Sequence, residues 1–158
     1  MLKNTVLSSI IFLSSSSVVF AESTHSYVGG GIGVSGYNQV GGLYGASANV
    51  FAGKGQLLGE KENFYLGGEI GANVGIRPKS AGVSASIIPG VMLTKSTMIY
   101  SRIGLASDYY PKSNITFGTE VGVGLQTNIT KHWDARVEYT SFSTKSSQAG
   151  VGLVYKFD

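Results

Sequence analysis

The residues of this sequence that could perform acid–base chemistry are few, and the most suggestive pair lies near the C-terminal end. Arg136 and Glu138 are two positions apart, so in a strand both side chains would point to the same face. A catalytic acid and base at this spacing would need a cleft that is open to substrate. An Arg–carboxylate pair equally suits a structural role, because the guanidinium fork pairs with a carboxylate and fixes interior packing. We predict the structural role.

The histidines, serines and glycine run do not form a recognisable catalytic or phosphate site. His25 lies near the start of the chain and His132 in a predicted turn, and no serine has a nearby histidine to activate it. Residues 29–33 are glycine-rich, but no helix follows them, as a phosphate loop would require. Cysteine is absent, which excludes disulfides and thiolate chemistry. The sequence therefore predicts no catalytic, cofactor-binding or metal-binding residue, and a protein that is not an enzyme.

The first 21 residues have the features of an export signal. Lys3 supplies a positive start, residues 6–20 are apolar with a serine patch, and Val-Phe-Ala at 19–21 fits a cleavage site. A transmembrane anchor is the alternative, but the apolar run is too short and too rich in serine. We predict a cleaved signal over residues 1–21 and one domain over residues 22–158.

The charge of the predicted mature part argues against nucleic acid as a partner. Without Lys3, eleven Lys and Arg residues face nine Asp and Glu residues. This small excess is accompanied by no basic run and no zinc-type spacing. The many glycines, tyrosines and phenylalanines favour strands and tight turns over helices.

Alternation with a period of two recurs along the whole mature part and predicts eight strands of about ten residues, the length that crosses a bilayer at a tilt. The predicted strands are residues 27–35, 42–52, 64–76, 83–93, 99–107, 117–128, 133–140 and 149–157. A closed eight-stranded antiparallel up-and-down transmembrane β-barrel would leave no unpaired edge in lipid. The even strand number would put both termini on the periplasmic side.

The charges support this assignment of faces, because all seven that lie within the predicted strands fall on the face opposite the apolar one. Aromatic residues near strand ends could form the two interface girdles. These are Tyr27, Tyr44, Phe64, Trp133, Tyr139, Tyr155 and Phe157. The alternative is a lipocalin-like soluble barrel with the polar face outside. Its exterior would be glycine-rich and nearly uncharged, which suits water poorly.

Two local features depart from a regular barrel pattern. Pro89 lies inside the fourth predicted strand and cannot donate to the ladder, so we expect a bulge or locally weak pairing there. The connection over residues 53–63 is long for a periplasmic turn.

The second half of the chain resembles the transmembrane domain of OmpA and the related OmpX and opacity-protein barrels of Gram-negative outer membranes. The resemblance is carried by residues 94–104, 135–139 and the aromatic-ended terminal strand 150–157, and it extends over most of residues 64–157. In the OmpA family, inward charges form a salt-bridge network that plugs the lumen. The positions here that match are Glu69, Arg102, Glu120, Arg136 and Glu138. The family's switchable lysine on the fourth strand is replaced by Ile88.

The resemblance implies a non-enzymatic outer-membrane protein with a structural or surface-interaction role, monomeric and without a cofactor. A narrow channel and a lipid-modifying enzyme are the alternatives. The expected partners are outer-membrane lipids, lipopolysaccharide and a host surface component. Four cations in the predicted outer loops could contact lipopolysaccharide phosphates or a host partner. They are Arg77, Lys79, Lys112 and Lys145.

Overall fold

The computed structural model describes residues 24–37, 45–59, 61–76, 79–109, 115–143 and 146–157, and these residues form eight β-strands. The predicted signal over residues 1–21 lies outside them. The strands are β1 (Thr24–Tyr37), β2 (Gly45–Leu58), β3 (Phe64–Ile76), β4 (Lys79–Met92), β5 (Thr97–Tyr109), β6 (Thr116–Asn128), β7 (Trp133–Phe142) and β8 (Ser146–Lys156). No helix within the described ranges is long and apolar enough to span a membrane.

The strands form a closed antiparallel barrel in which each strand pairs with its neighbours in sequence and β8 pairs back onto β1. The register is staggered around the barrel. A row of paired residues that starts at Tyr27 on β1 returns to β1 ten residues further on, at Tyr37. Such a stagger requires tilted strands. The predicted eight-stranded up-and-down barrel is confirmed.

The outside of the barrel is apolar and the inside is polar. Outward positions on every strand carry exposed aliphatic side chains, such as Ile32 at 69% and Leu105 at 68% of full exposure. The buried residues are mostly polar or charged, and along each strand they alternate with these outward side chains. This arrangement contradicts the soluble alternative, because an exterior of this kind belongs in lipid. The start of β1, the end of β8 and the turns 59–63, 93–96 and 129–132 share one end, which we call the periplasmic end.

Strand β2 is longer than predicted, so the prediction of a long periplasmic connection over residues 53–63 is wrong. β2 continues to Leu58, so the connection to β3 is only residues 59–63. Gly59 has a φ of 87°, a left-handed conformation that glycine adopts without strain, and its carbonyl accepts a hydrogen bond from Glu62 N at 3.0 Å. The loop of residues 77–80 is likewise shorter than predicted, because β4 begins at Lys79.

The longer strands bring ten charged residues into the barrel wall, and eight of these point inward. The seven predicted inward charges are Glu69, Arg102, Glu120, Asp134, Arg136, Glu138 and Lys156, and Asp108 joins them. Among the strand residues that the structure describes, only Lys54 and Lys79 occupy outward positions. The prediction that all strand charges point inward therefore holds for its seven residues but not for the strand extensions.

Not all of the predicted girdle residues lie in a girdle. Tyr27 is not in a girdle: its position is inward, it is buried, and its hydroxyl donates to Glu69. Tyr44 lies outside the described residues. At the periplasmic end, the outward rings of Trp133, Tyr155 and Phe157 pack edge to face, with centroids 5.1 and 5.2 Å apart.

Pro89 weakens the pairing on one side of β4 without shifting it. Pro89 lies opposite Leu66 on β3, where the ladder is continuous. On the β5 side, pairing stops after Ile87 with Ile103 and resumes at Gly90 with Tyr100, in the same register. The expected weak pairing is present, and the alternative of a bulge is wrong, because no extra residue is inserted.

Inward glycines make room for inward aromatic rings in the periplasmic half of the barrel. A Cβ atom placed on any of four of these glycines would collide with a ring from a nearby position. Without side chains at these positions, four large rings fit across a narrow lumen. The pairs are Gly29 with Phe51, Gly53 with Tyr27, Gly55 with Tyr65 and Gly124 with Tyr100.

Candidate functional site: the ionic network of the lumen

Arg102 on β5 is the centre of the ionic network in the middle of the lumen. Its guanidinium pairs with Glu69 on β3, and its Nη1 is 3.5 Å from Glu120 Oε1 on β6. On the other side, Nε and Nη2 lie 3.0 and 3.2 Å from the two oxygens of Glu138 on β7. One buried cation therefore joins carboxylates from three strands.

Arg136 on β7 shares Glu69 with Arg102 and is further held by rings. Its Nη1 donates to Glu69 Oε2 at 2.8 Å, and its Nε and Nη2 donate to Gln126 Oε1 at 3.1 and 2.9 Å. The guanidinium carbon lies 4.3 Å from the centroid of Phe51 and 5.1 Å from that of Tyr100. Cation–π contacts of this kind are strong where water is excluded.

Neutral donors complete the coordination of the carboxylates. Tyr27 donates to Glu69 Oε2 at 3.0 Å, Tyr100 donates to Glu138, and Thr140 donates to Glu138 Oε1 at 3.0 Å. Ser86 on β4 donates to Glu120. A buried carboxylate is tolerated only when its oxygens are paired and hydrogen-bonded, and these hydroxyls supply the remaining bonds.

The network continues to the periplasmic end. Gln126 Nε2 donates to Asp134 Oδ2 at 2.7 Å, and Asp134 pairs with Lys156 Nζ at 2.8 Å. Lys156 also donates to Asn128 Oδ1 at 3.2 Å. Polar contacts therefore run without a break from Glu120 at mid-lumen to the periplasmic rim, and they join β3, β5, β6, β7 and β8.

The extracellular half of the lumen has a different character. A cavity of about 50 Å³ lies above the network, and a second of about 20 Å³ lies nearer the extracellular end. Four neutral polar side chains in this half have buried atoms without a hydrogen-bond partner among the described residues. They are Ser35, Ser47, Asn49 and Gln148. Spaces of this size accommodate a few water molecules but no organic substrate.

The structure thus brings together all five residues predicted for the lumen, Glu69, Arg102, Glu120, Arg136 and Glu138. Sequence reasoning missed the neutral members. Tyr27 was assigned to a girdle, although its parity with the inward glycines of β1 was the available signal. Gln126 and Tyr100 share the parity of the inward charges on their strands, and nothing else in the sequence marks them. Ser86 and Thr140 carry no signal beyond the same parity.

Of the four cations predicted to contact lipopolysaccharide or a host partner, only Lys79 is described. It is exposed, outward-facing and at the extracellular end, opposite Ile76 on β3. Arg77, Lys112 and Lys145 lie outside the described residues. No group of three His, Asp or Glu side chains suited to a metal ion occurs within the described ranges.

The sequence matches no protein-family model and none of the curated proteins. Solved structures do match, and the three that follow are each covered along their whole chain. A designed transmembrane β-barrel covers 88% of this chain with a TM-score of 0.58 and 13% identity. The N-terminal barrel domain of OprF from Pseudomonas aeruginosa covers 86% with a TM-score of 0.56 and 16% identity. Ail, the attachment invasion locus protein of Yersinia pestis, covers 87% with a TM-score of 0.54 and 14% identity.

These similarities define the class of protein: the chain is an eight-stranded transmembrane β-barrel. Within this class it has the fold of the OmpA, OmpX and Ail type of outer-membrane barrel, as the resemblance in residues 64–157 predicted. At these identities the likeness concerns the fold, and it extends equally to a designed barrel. Fold and apolar exterior agree with the predicted location in the outer membrane of a Gram-negative bacterium.

Proposed function

We propose that this protein is a small non-enzymatic outer-membrane barrel whose extracellular end makes surface contacts and whose lumen is plugged. The single observation that carries the proposal is the filled lumen. The network around Arg102 and Arg136, together with the rings of Phe51, Tyr27 and Tyr100, occupies the middle and the periplasmic half of the barrel. A barrel that is closed in this way offers its loops and its outer wall for function, rather than its interior.

The position of Lys79 supports contact with lipopolysaccharide. Its side chain is outward and exposed at the extracellular end of the wall, the end that would face the phosphates of the outer leaflet. Arg77, Lys112 and Lys145 belong to the same proposal through their places in the connections at this end. Lysine and arginine side chains at a membrane surface bind phosphates electrostatically.

A protein of similar fold supports the same proposal. Ail is described as an attachment protein, and one of its structures contains the heparin analogue sucrose octasulfate, a polyanion. Transferred to this chain, that suggests a cationic extracellular end that binds sulfated or phosphorylated surface molecules. The loop cations of this chain would supply the charge, and the plugged barrel would act as the anchor.

The test exchanges Arg77, Lys79, Lys112 and Lys145 for glutamine and measures binding of purified barrel to lipopolysaccharide and to host cells. We expect binding to fall at least tenfold, since each surface cation is worth about 1 kcal/mol toward an anionic surface. The control exchanges Lys61, Lys95 and Lys131, which are exposed at the periplasmic end. Equal binding by the two variants would reject the proposal.

The two alternative functions have their own measurements. A narrow channel is the second candidate, because the polar cavities above the network would form its outer part. It predicts steady conductance in a planar bilayer, whereas the plugged lumen predicts almost none. A lipid-modifying enzyme predicts a changed mass of lipid A when the protein is expressed, and we expect none. Outer-membrane fractionation with a heat-modifiability gel tests the location.

A further inference from the structure

Lys54 is a charged residue on the lipid-facing wall of the barrel. Its neighbours Gly53 and Gly55 are inward, since a Cβ on either would strike the inward rings of Tyr27 and Tyr65, and Lys54 itself is exposed. It lies opposite Ser26 on β1 and Gly68 on β3. The ion pairs among the described residues do not include Lys54. A lone cation facing lipid is costly and calls for a partner.

The outward residues around Lys54 are polar as well. Ser26 is its direct cross-strand neighbour, and Gln56 and Thr24 form the next outward pair toward the periplasmic end. We call these four residues the β1–β2 polar notch. At the periplasmic ends of other strands, the outward positions are mainly apolar or aromatic, as at Leu66, Val91, Ile99, Leu125, Trp133 and Tyr155.

Apolar and aromatic side chains form both walls of the notch. On the β8 side, Phe157 N bonds to the carbonyl of Ser26, and Tyr155 is opposite Val28. On the β3 side, Gln56 lies opposite Leu66, and Leu58 lies opposite Phe64. Gly68, beside Lys54, has open space where a side chain would be. The result is a cationic recess between two apolar walls. It lies at the level of Tyr155 and Phe157, which belong to the aromatic residues of the membrane interface.

We propose that the β1–β2 polar notch binds the phosphate of a glycerophospholipid headgroup. The ammonium of Lys54 would pair with the phosphate, and the hydroxyl of Ser26 and the amide of Gln56 are within the same recess to donate hydrogen bonds. The acyl chains would lie along the apolar wall above. A lysine can extend its ammonium group to the membrane interface while its aliphatic stem stays in lipid. Here the polar side chains of Gln56 and Thr24, on the periplasmic side of Lys54, line the way to the interface.

A second copy of the chain fits the notch less well than a lipid. A symmetric contact would bring the same patch of both copies together, and Lys54 would then face Lys54 without a carboxylate among the outward strand residues that the structure describes. A phosphate supplies the missing negative charge. The proposal concerns the periplasmic end only and does not depend on the function proposed for the extracellular loops.

The test is native mass spectrometry of the detergent-solubilised barrel, titrated with dioleoyl phosphatidylglycerol. We expect Lys54→Gln to weaken lipid binding about fivefold, equivalent to ~1 kcal/mol. Lys54→Arg keeps the charge and should bind nearly as well as the unchanged protein. Lys95→Gln, at an exposed periplasmic turn, is the matched control and should have no effect. Dioleoylglycerol, which lacks the phosphate, should bind weakly to all variants.

Two results with the variants would overturn the proposal: lipid binding by Lys54→Gln as tight as that of the unchanged protein, or a loss in Lys95→Gln as large as that in Lys54→Gln. Two further results would also overturn it: binding of dioleoylglycerol as tight as that of the phospholipid, or a dimer that Lys54→Gln abolishes. Inorganic phosphate, added alone, separates a headgroup from a free anion. It should not compete at equimolar concentration, and full competition would also count against a lipid site. A heat-modifiability gel verifies that each variant is folded before the titration.

Discussion

The two halves of the lumen are built by different chemistry on the same eight strands. From mid-lumen to the periplasmic end, two arginines, three glutamates and a set of rings fill the interior, and the glycines opposite the rings leave them space. In the extracellular half, most inward residues are glycine or small polar residues, with the buried Asp108 and Phe142 as exceptions, cavities remain, and several buried polar atoms have no partner among the described residues.

The difference shows where interior stability is concentrated. A buried charge network is stabilising only as a complete set, because the loss of one partner leaves another charge exposed to a low-dielectric interior. Small hydroxyls beside a cavity can exchange partners with water at little cost. Substitutions of inward residues in the periplasmic half should therefore lower the free energy of unfolding strongly. Equivalent substitutions in the extracellular half should lower it only slightly.

The largest expected effect is that of Arg136→Ala. It removes one of the two cations on Glu69 and the cation that lies among Phe51, Tyr27 and Tyr100. We expect the free energy of unfolding to fall by about 3–5 kcal/mol. Urea unfolding in detergent, followed by the fluorescence of the single tryptophan, measures it. The exposed Lys95→Ala should stay within about 0.5 kcal/mol, and a similar loss in both variants would contradict the inward assignment.

Tyr27→Phe tests the neutral donors of the network. The change keeps the ring and deletes only the hydroxyl that donates to Glu69 at 3.0 Å. A hydrogen bond to a buried charged group is worth about 1.5–3 kcal/mol, and we expect a loss in this range by the same unfolding assay. Tyr139→Phe, at an exposed outward position, is the control and should be nearly neutral. No difference between the two would remove Tyr27 from the network.

Gly124→Ala tests whether inward glycines are there to make room. The added methyl group would collide with the ring of Tyr100, and overpacking of this kind costs about 1–3 kcal/mol. Gly68→Ala adds the same methyl group on the outside, where nothing lies within 4 Å. We expect the outward change to be neutral or slightly stabilising. If both variants unfold at the same urea concentration, the glycine–ring pairing is not a packing constraint.

The smallest effect should come from the extracellular half. Ser47→Ala deletes a buried hydroxyl that has no partner among the described residues, so the stability should change by less than about 0.5 kcal/mol. Ser86→Ala deletes a hydroxyl that donates to Glu120 in the network, and we expect a loss of about 1.5 kcal/mol or more. A reversed order would show that the two halves do not differ as described.

The number of strands, their order and the face of each strand that points to lipid could be predicted from the sequence, because a local alternation with a period of two determines them. β3 was predicted with its observed bounds, since Phe64–Ile76 alternates along its length except at Gly68. β2 was predicted six residues short, to residue 52 instead of Leu58. Its extension carries Lys54 and Gln56 on the outward face, and these polar residues break the alternation on which the prediction depended.

Membership of the ionic network could be predicted, but its pairings could not. Parity alone puts Glu69, Arg102 and Arg136 inside the barrel. That Glu69 serves both arginines depends on the ten-residue stagger, which is set by pairing around the whole ring and by no local pattern. The same holds for Tyr27, whose nearness to Glu69 follows from the register between β1, β2 and β3.

The seam between β1 and β8 has a consequence for how the molecule folds. It joins the two ends of the chain, from Tyr27 with Lys156 to Tyr37 with Ser146. Contacts between residues so far apart in sequence form late, because the entropy cost of closing a long loop comes before the contacts stabilise the barrel. Until then β1 and β8 are open edges that could pair with another chain. The slowest step of insertion, and the one most exposed to aggregation, should therefore be the joining of these two strands.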